Sequence, residues 1–336
     1  MKVSGTGAVY HCVSRTVNRE KLLDAGAKEA LRKLIWRVAD FSGVEVLSYC
    51  VMSNHFHVLV AVPARDEAEA EVDERELLRR YGVLYANPSR YQQMRGEVLE
   101  ALLAGGTTEG EAVRRRLVSR MHDVSDYMKS LKQRYTLWYN HTYGRVGTLW
   151  SERFKSVLVE GDVAALQIVS GYIDLNPVRA GMVSDPKDYR WSSYGEAVGG
   201  SAVARKGIVR VVTGKGEGEN PGRHWGSAQG QYRLYLYCKG TMPARGKGRG
   251  TAMLSGTDWR REMERGGQLP VAEALRCRVR YFTDGAVIGS KGYVQAVFEQ
   301  HRGNFGKRRR TGPRRMRGSD WDGLVVARDL RREVFG

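Results

Sequence analysis

Residues 7–13 (GAVYHCV) are rich in apolar and β-favouring side chains and read as a strand whose successive positions alternate between two faces. Residues 28–42 switch to helical spacing, with Leu31, Leu34, Ile35 and Val38 on one face, and Gly43 ends the run. Residues 44–52 and 56–62 are β-rich, and the Ser53-Asn54-His55 segment between them has hairpin-turn character. The first 63 residues therefore predict β-α-β-β, the opening of a split-βαβ, ferredoxin-like domain.

Residues 64–120 are charged, with weak helical periodicity over 76–85 and 94–104 and a break at Gly105-Gly106. They predict a helical insertion and not part of the sheet. Residues 125–143 form an amphipathic pattern with Tyr127, Leu131, Arg134, Tyr135, Trp138 and Tyr139 near one face, stopped by Gly144 and Gly147. The helical spacing of these aromatics fits core packing better than base stacking. Residues 154–160 predict a fourth strand, and Asp162 an N-cap for a helix over 163–176 that Pro177 closes. The expected architecture is α+β: an antiparallel sheet with helices on one face, a helical insertion, and a basic, mainly helical C-terminal region.

Beyond residue 196 the composition shifts, dividing the chain into an expected 1–195 domain and a 196–336 region. Residues 199–224 and 240–250 are rich in glycine and basic side chains and predict linkers or loops. Residues 269–281 and 290–300 carry short helical patterns around Thr283-Asp284-Gly285-Ala286, with Ser290 as an N-cap. That spacing is compatible with a helix-turn-helix, as with any helical hairpin.

Charge sharpens the division. The chain of 336 residues has a net charge of +18. Residues 1–200 hold 27 basic and 25 acidic side chains, whereas residues 201–336 hold 28 and 12. A polyanion is the partner such asymmetry calls for, and nucleic acid is the usual one. Lys307, Arg308, Arg309, Arg310, Arg314, Arg315 and Arg317 form a dense basic segment with no acidic residue among them, expected as an arm or loop making salt-sensitive phosphate contacts. No apolar run approaches the roughly 18–20 residues of a membrane span, and the N-terminus lacks an apolar signal core. The expectation is a cytoplasmic protein with no membrane partner. The four cysteines, Cys12, Cys50, Cys238 and Cys277, lack metal-site spacing and are expected as free, buried thiols.

Two short motifs carry candidate chemistry. In Ser53-Asn54-His55-Phe56-His57 the two histidines stand two residues apart, so on a strand both imidazoles project from one face, where they can bind a divalent cation. In Gly171-Tyr172-Ile173-Asp174-Leu175-Asn176-Pro177, Tyr172 and Asn176 lie one helical turn apart. Asn176 offers a hard carbonyl oxygen suited to Mg²⁺ or Mn²⁺, and Tyr172 a nucleophilic phenol. Arg153, Lys155 and Arg179 flank these motifs, either holding phosphates or serving as solvated charge. His11, alone on the first strand, is expected as a packed or exposed side chain more than a ligand.

The HxH pattern after a β-α-β opening resembles the signature of the HUH endonucleases. Residues 172–181 (YIDLNPVRAG) resemble the tyrosine-helix motif of the REP-associated tyrosine transposases, relatives of the IS200-like single-tyrosine transposases. Residues 147–154 (GTLWSERF) and 189–194 (YRWSSY) extend the similarity, which covers about residues 5–195. It implies His55, His57 and Asn176 as metal ligands and Tyr172 as the nucleophile that forms a 5′-phosphotyrosine and frees a 3′-OH. The implied substrate is single-stranded DNA near hairpin-forming repeat ends, with Mg²⁺ or Mn²⁺ as cofactor and a monomer or homodimer as the working unit. The 64–120 insertion and the long basic tail depart from compact members. Two other readings share the features: a non-catalytic hairpin-binding protein on this fold, and a replication or conjugation nickase. The latter often carries a third downstream histidine or paired tyrosines, neither of which is evident.

Overall fold

The computed structural model describes residues 7–64, 72–85, 88–214, 222–237, 275 and 280–330. The opening is β1 (Ala8–Arg15), α1 (Ala25–Ser42), β2 (Glu45–Val51) and β3 (His55–Val62). Asp24 caps α1 by accepting from the Ala27 amide, and Gly43 stops it in the left-handed conformation at φ 61°. β1 lies between β3 and β4 (Lys155–Val159), antiparallel to both.

The expected insertion is helical: α2 (Glu74–Leu84), α3 (Arg90–Ala104) and α4 (Thr108–Val118), each with a side-chain N-cap. It leads into α5 (Val124–Thr142), whose Tyr127, Tyr135 and Tyr139 are buried. The helix expected over 163–176 is two pieces: α6 (Val163–Asp174), which carries Tyr172, and the short α7 (Asn176–Arg179).

The α+β class is as expected, but helices cover both faces of the sheet and not one. Tyr10, Cys12, Phe56, Val58 and Val60 pack with α1 and α5. Val9, Leu59, Ala61, Val157 and Val159 pack with α6 on the opposite side. The reason lies in the strands: β3 is buried at every residue after His55, so both of its alternating faces need a cover.

Past residue 195 the sequence reading needs three corrections. Residues 199–224 were expected as a linker, but they include α9 (Ala202–Thr213), which follows α8 (Ser193–Val198) and precedes α10 (Gly222–Tyr237). Ala204, Ile208, Val211 and Val212 bury an apolar face of α9 that the neighbouring glycines and basic residues obscure in the sequence. Second, no helix-turn-helix forms around 283–286. There α11 (Tyr281–Asp284) runs directly into β5 (Gly285–Gly289), and α12 (Lys291–Gln300), capped by Ser290, follows the strand. The remainder of the helix expected over 269–281 and the loop expected over 240–250 lie outside the described residues. Third, the C-terminal region is largely helical among the described residues, as expected, but beyond residue 284 it also adds three strands to the sheet. β5 pairs parallel with β4, and β7 (Val325–Arg328) joins β5 to the short β6 (Arg314–Arg315). Among the described residues the sheet has seven strands, in the order β2-β3-β1-β4-β5-β7-β6, and thus runs across the boundary expected at 195/196. Cys12 and Cys50 are free and buried, as expected; Cys238 and Cys277 lie outside the described residues.

Gly207 sets how closely α9 approaches β2. A Cβ there would lie 2.7 Å from the carbonyl oxygens of both Val46 and Leu47. Gly207→Ala gains helix propensity worth up to about 1 kcal/mol, but the clash is with rigid backbone, and overpacking of this kind costs roughly 1–3 kcal/mol. A lower urea midpoint than wild type is therefore expected, and an unchanged or higher midpoint would show that α9 is free to shift.

Candidate active site

Register across three strands assembles one polar row. His57 pairs with Val13 of β1, and Val13 pairs with Lys155 of β4; His55 pairs with Arg15. Residues directly opposite in antiparallel strands point to the same face. His55, His57, His11, Arg15 and Lys155 therefore project from the face that α6 covers. Lys155 stands two strand spacings from His57, roughly 10 Å, and is ion-paired to Glu152 at 3.6 Å.

The two motif histidines are held by different partners. The Asn54 side-chain amide donates to the Arg19 carbonyl at 2.8 Å, which turns its Oδ1 toward His55 Nδ1 at 2.7 Å. An amide oxygen only accepts, so His55 Nδ1 carries the proton and its Nε2 keeps the lone pair. His57 Nδ1 lies 2.9 Å from His11 Nε2. Burial, aided by the charges of Arg15 and Arg179, brings His55 down to about 4. Burial, then the neighbouring His55 and His11, holds His57 well below the ordinary imidazole range. At neutral pH both rings are uncharged, as cation binding requires.

Tyr172 projects from α6 against His57 and His11. Its ring lies edge-on to His57 at 5.8 Å and to His11 at 6.1 Å, and Phe282 covers its other side at 4.6 Å. The phenol is 6% exposed. Arg179 stacks over the ring at 4.1 Å and donates to the carbonyls of Tyr172 and Leu275. It also donates to Asn176 Oδ1 at 2.5 Å, while the Asn176 amide nitrogen donates back to the carbonyls of Tyr172 and Ile173. The structure thus brings His55, His57, Tyr172, Asn176 and Arg179 into one cluster, with the Asn176 oxygen bonded to Arg179.

Other expected site residues lie apart from it. Arg153 is exposed before β4. Lys307, Arg308, Arg310, Arg315 and Arg317 are exposed in the C-terminal segment, and Arg314 pairs with Asp329 at 2.8 Å. Arg309 is different: its guanidinium donates to the backbone oxygens of Thr311, Gly312 and Arg328 and packs on Phe298 and Phe305, so it shapes the loop. Sequence reasoning missed Arg15 and Asn54 and gave His11 no positioning role. Only the strand register reveals the first. Asn54 stands inside the quoted motif, where its type and adjacency were visible signals.

Residues 5–73 match the family described as Transposase IS200 like. The matched stretch contains β1, α1, β2, β3 and both motif histidines; Tyr172 and Asn176 lie beyond it. No curated protein matches the chain. Among solved structures, it is similar to one described as "Structure of the REP associates tyrosine transposase bound to a REP hairpin". The identity is 16%, over 60% of this chain and 84% of that one, with a TM-score of 0.37. Among the described residues, no helix is long and apolar enough to cross a membrane.

Asp174, two residues after Tyr172, anchors the end of α6. It is fully buried and accepts from the Tyr232 hydroxyl at 2.7 Å and from the Tyr194 amide at 3.2 Å. Burial pushes its carboxyl up to about 7, against the pull of those hydrogen bonds. A carboxyl raised in the fold contributes stability that is full in acid and lost as pH climbs from about 4 through 7. The loss is on the order of 4 kcal/mol. Asp174→Asn is therefore expected to gain in melting temperature relative to wild type between pH 5 and pH 8. A difference independent of pH would contradict the assignment.

Proposed function

We propose that the chain is an HUH-type single-tyrosine transposase that cleaves and rejoins single-stranded DNA. The observation that carries this reading is the packing of Tyr172 beside His57, on the sheet face from which the neighbouring rings of His55 and His57 both project. The family match over residues 5–73 supports it independently.

The residues present fit a divalent cation in part. Two neutral imidazoles side by side can bind a divalent cation, and the Asn176 carbonyl oxygen is the hard donor suited to Mn²⁺ or Mg²⁺. Asn176 as third ligand requires its oxygen to exchange Arg179 for the cation. When bound, such a cation supplies Lewis-acid polarisation of the scissile phosphate and charge stabilisation at the leaving oxygen.

The chain's own groups do the rest. The Tyr172 oxygen attacks phosphorus in line, the P–O3′ bond breaks, the phenol loses its proton and the departing 3′ oxygen gains one. The product is a 5′-phosphotyrosine, and attack by a 3′-OH reverses the step. Arg179 holds the tyrosine ring in place, and Arg15 and Lys155, on the same sheet face, are placed to meet phosphate oxygens. Residues 196–336 supply sequence-independent phosphate contacts through the exposed Lys307, Arg308, Arg310, Arg315 and Arg317, with binding that weakens steeply as salt rises.

The test is a covalent-adduct assay. Full-length protein is incubated with labelled single-stranded hairpin DNA and Mn²⁺, then run on a denaturing gel. Wild type is expected to give a retarded band, and Tyr172→Phe to lose it while binding DNA within a few-fold of wild type in a native gel. A band that survives in Tyr172→Phe would misassign the nucleophile. Binding without a band in wild type would favour the non-catalytic hairpin-binding reading.

A further inference from the structure

His11 is fully buried between the motif histidine and the C-terminal part of the chain. Its Nδ1 lies 2.8 Å from the Phe282 carbonyl oxygen and its Nε2 2.9 Å from His57 Nδ1. A carbonyl oxygen only accepts, so His11 Nδ1 must carry a proton. A buried imidazole with no carboxylate among its hydrogen-bond partners is neutral, so His11 Nε2 has a lone pair and accepts. His57 must then donate from Nδ1, which leaves its Nε2 unprotonated. The relay runs from a backbone oxygen, which cannot change role, to the atom a cation would use.

We propose that His11 is a positioning residue that fixes the tautomer and orientation of His57, and that the Phe282 carbonyl is its anchor. Both ring nitrogens of His11 are committed to these bonds, so it is not itself a ligand. The proposal deepens the metal-site reading above and rests on it for its affinity consequence. It also gives the C-terminal region a part in the centre. Phe282 carries the anchoring carbonyl and covers the Tyr172 ring, and Leu275 accepts from Arg179. The relay mirrors Asn54, which sets His55 in the same way from the other side.

The experiment uses full-length protein with His11→Ala and His11→Gln, each first shown to be folded by circular dichroism and melting temperature. Imidazole ¹⁵N NMR of the metal-free protein reads the His57 tautomer, and titration with Mn²⁺ reads affinity. Wild type is expected to show a single Nδ1–H tautomer at His57. In His11→Ala a tautomer mixture is expected, with Mn²⁺ affinity lower by about 10–100-fold, the usual effect of losing such an outer partner. His11→Gln, whose carboxamide offers an N–H donor and an oxygen acceptor, is expected to recover part of the loss. A folded His11→Ala with the wild-type tautomer would overturn the proposal, as would wild-type affinity in that variant. If wild type binds no Mn²⁺, the metal reading fails, while the tautomer measurement on metal-free protein still decides the relay.

Discussion

The pairing of β1 with β3 is the constraint on which the site depends. One register places Val13 opposite His57 and Arg15 opposite His55, and so puts His11, His55 and His57 on a single face. A slip of one residue would turn the imidazoles toward α1 and α5 and send Phe56 and Val58 toward the tyrosine helix. The burial of β3 on both sides makes that slip costly, because each face is matched to its own helices. The chemistry is therefore inherited from packing: the hydrophobic alternation that builds the core also aims the histidines.

Around that register the polar groups are spent on fixing one another. Asn54 sets His55, His11 sets His57, and Arg179 ties Tyr172, Asn176 and Leu275 together. Such networks specify a single arrangement only when every member is satisfied. Here satisfaction depends on residues 275 and 282, far along the chain, and the continuation of the sheet through β5 brings residue 282 into place. The basic C-terminal region is thus joined to the centre by hydrogen bonds and by the sheet itself, beyond any electrostatic role on its surface.

Much of this was legible in the sequence. The β-α-β-β opening, the helical insertion and the core role of Tyr127, Tyr135 and Tyr139 follow from local periodicity and spacing, whereas the pairing of HxH with Tyr172 rests on the resemblance of residues 172–181 to a family motif. What was not legible depends on long-range geometry. Strands apolar on both faces do not say which helix covers which side, so α6 was expected with α1 and lies opposite it. Residues 285–289 are a short, glycine-bounded segment whose strand character comes from pairing with β4. Arg15 and His11 join the site only through register and through a partner 271 residues away. The apolar face of α9 was masked by glycine and charge, yet Gly207 is there because two carbonyls leave no room for a side chain.

Pulsed EPR on Mn²⁺-loaded full-length protein tests the central claim most directly, since it counts the nitrogens bound to the ion. The account predicts two coordinated imidazole nitrogens in wild type and one fewer in each of His55→Ala and His57→Ala. With tyrosine deuterated, it also predicts a weak deuterium coupling that disappears in Tyr172→Phe. Absence of nitrogen coupling, or coupling unchanged in both histidine variants, would contradict a cation site built on this face of the sheet.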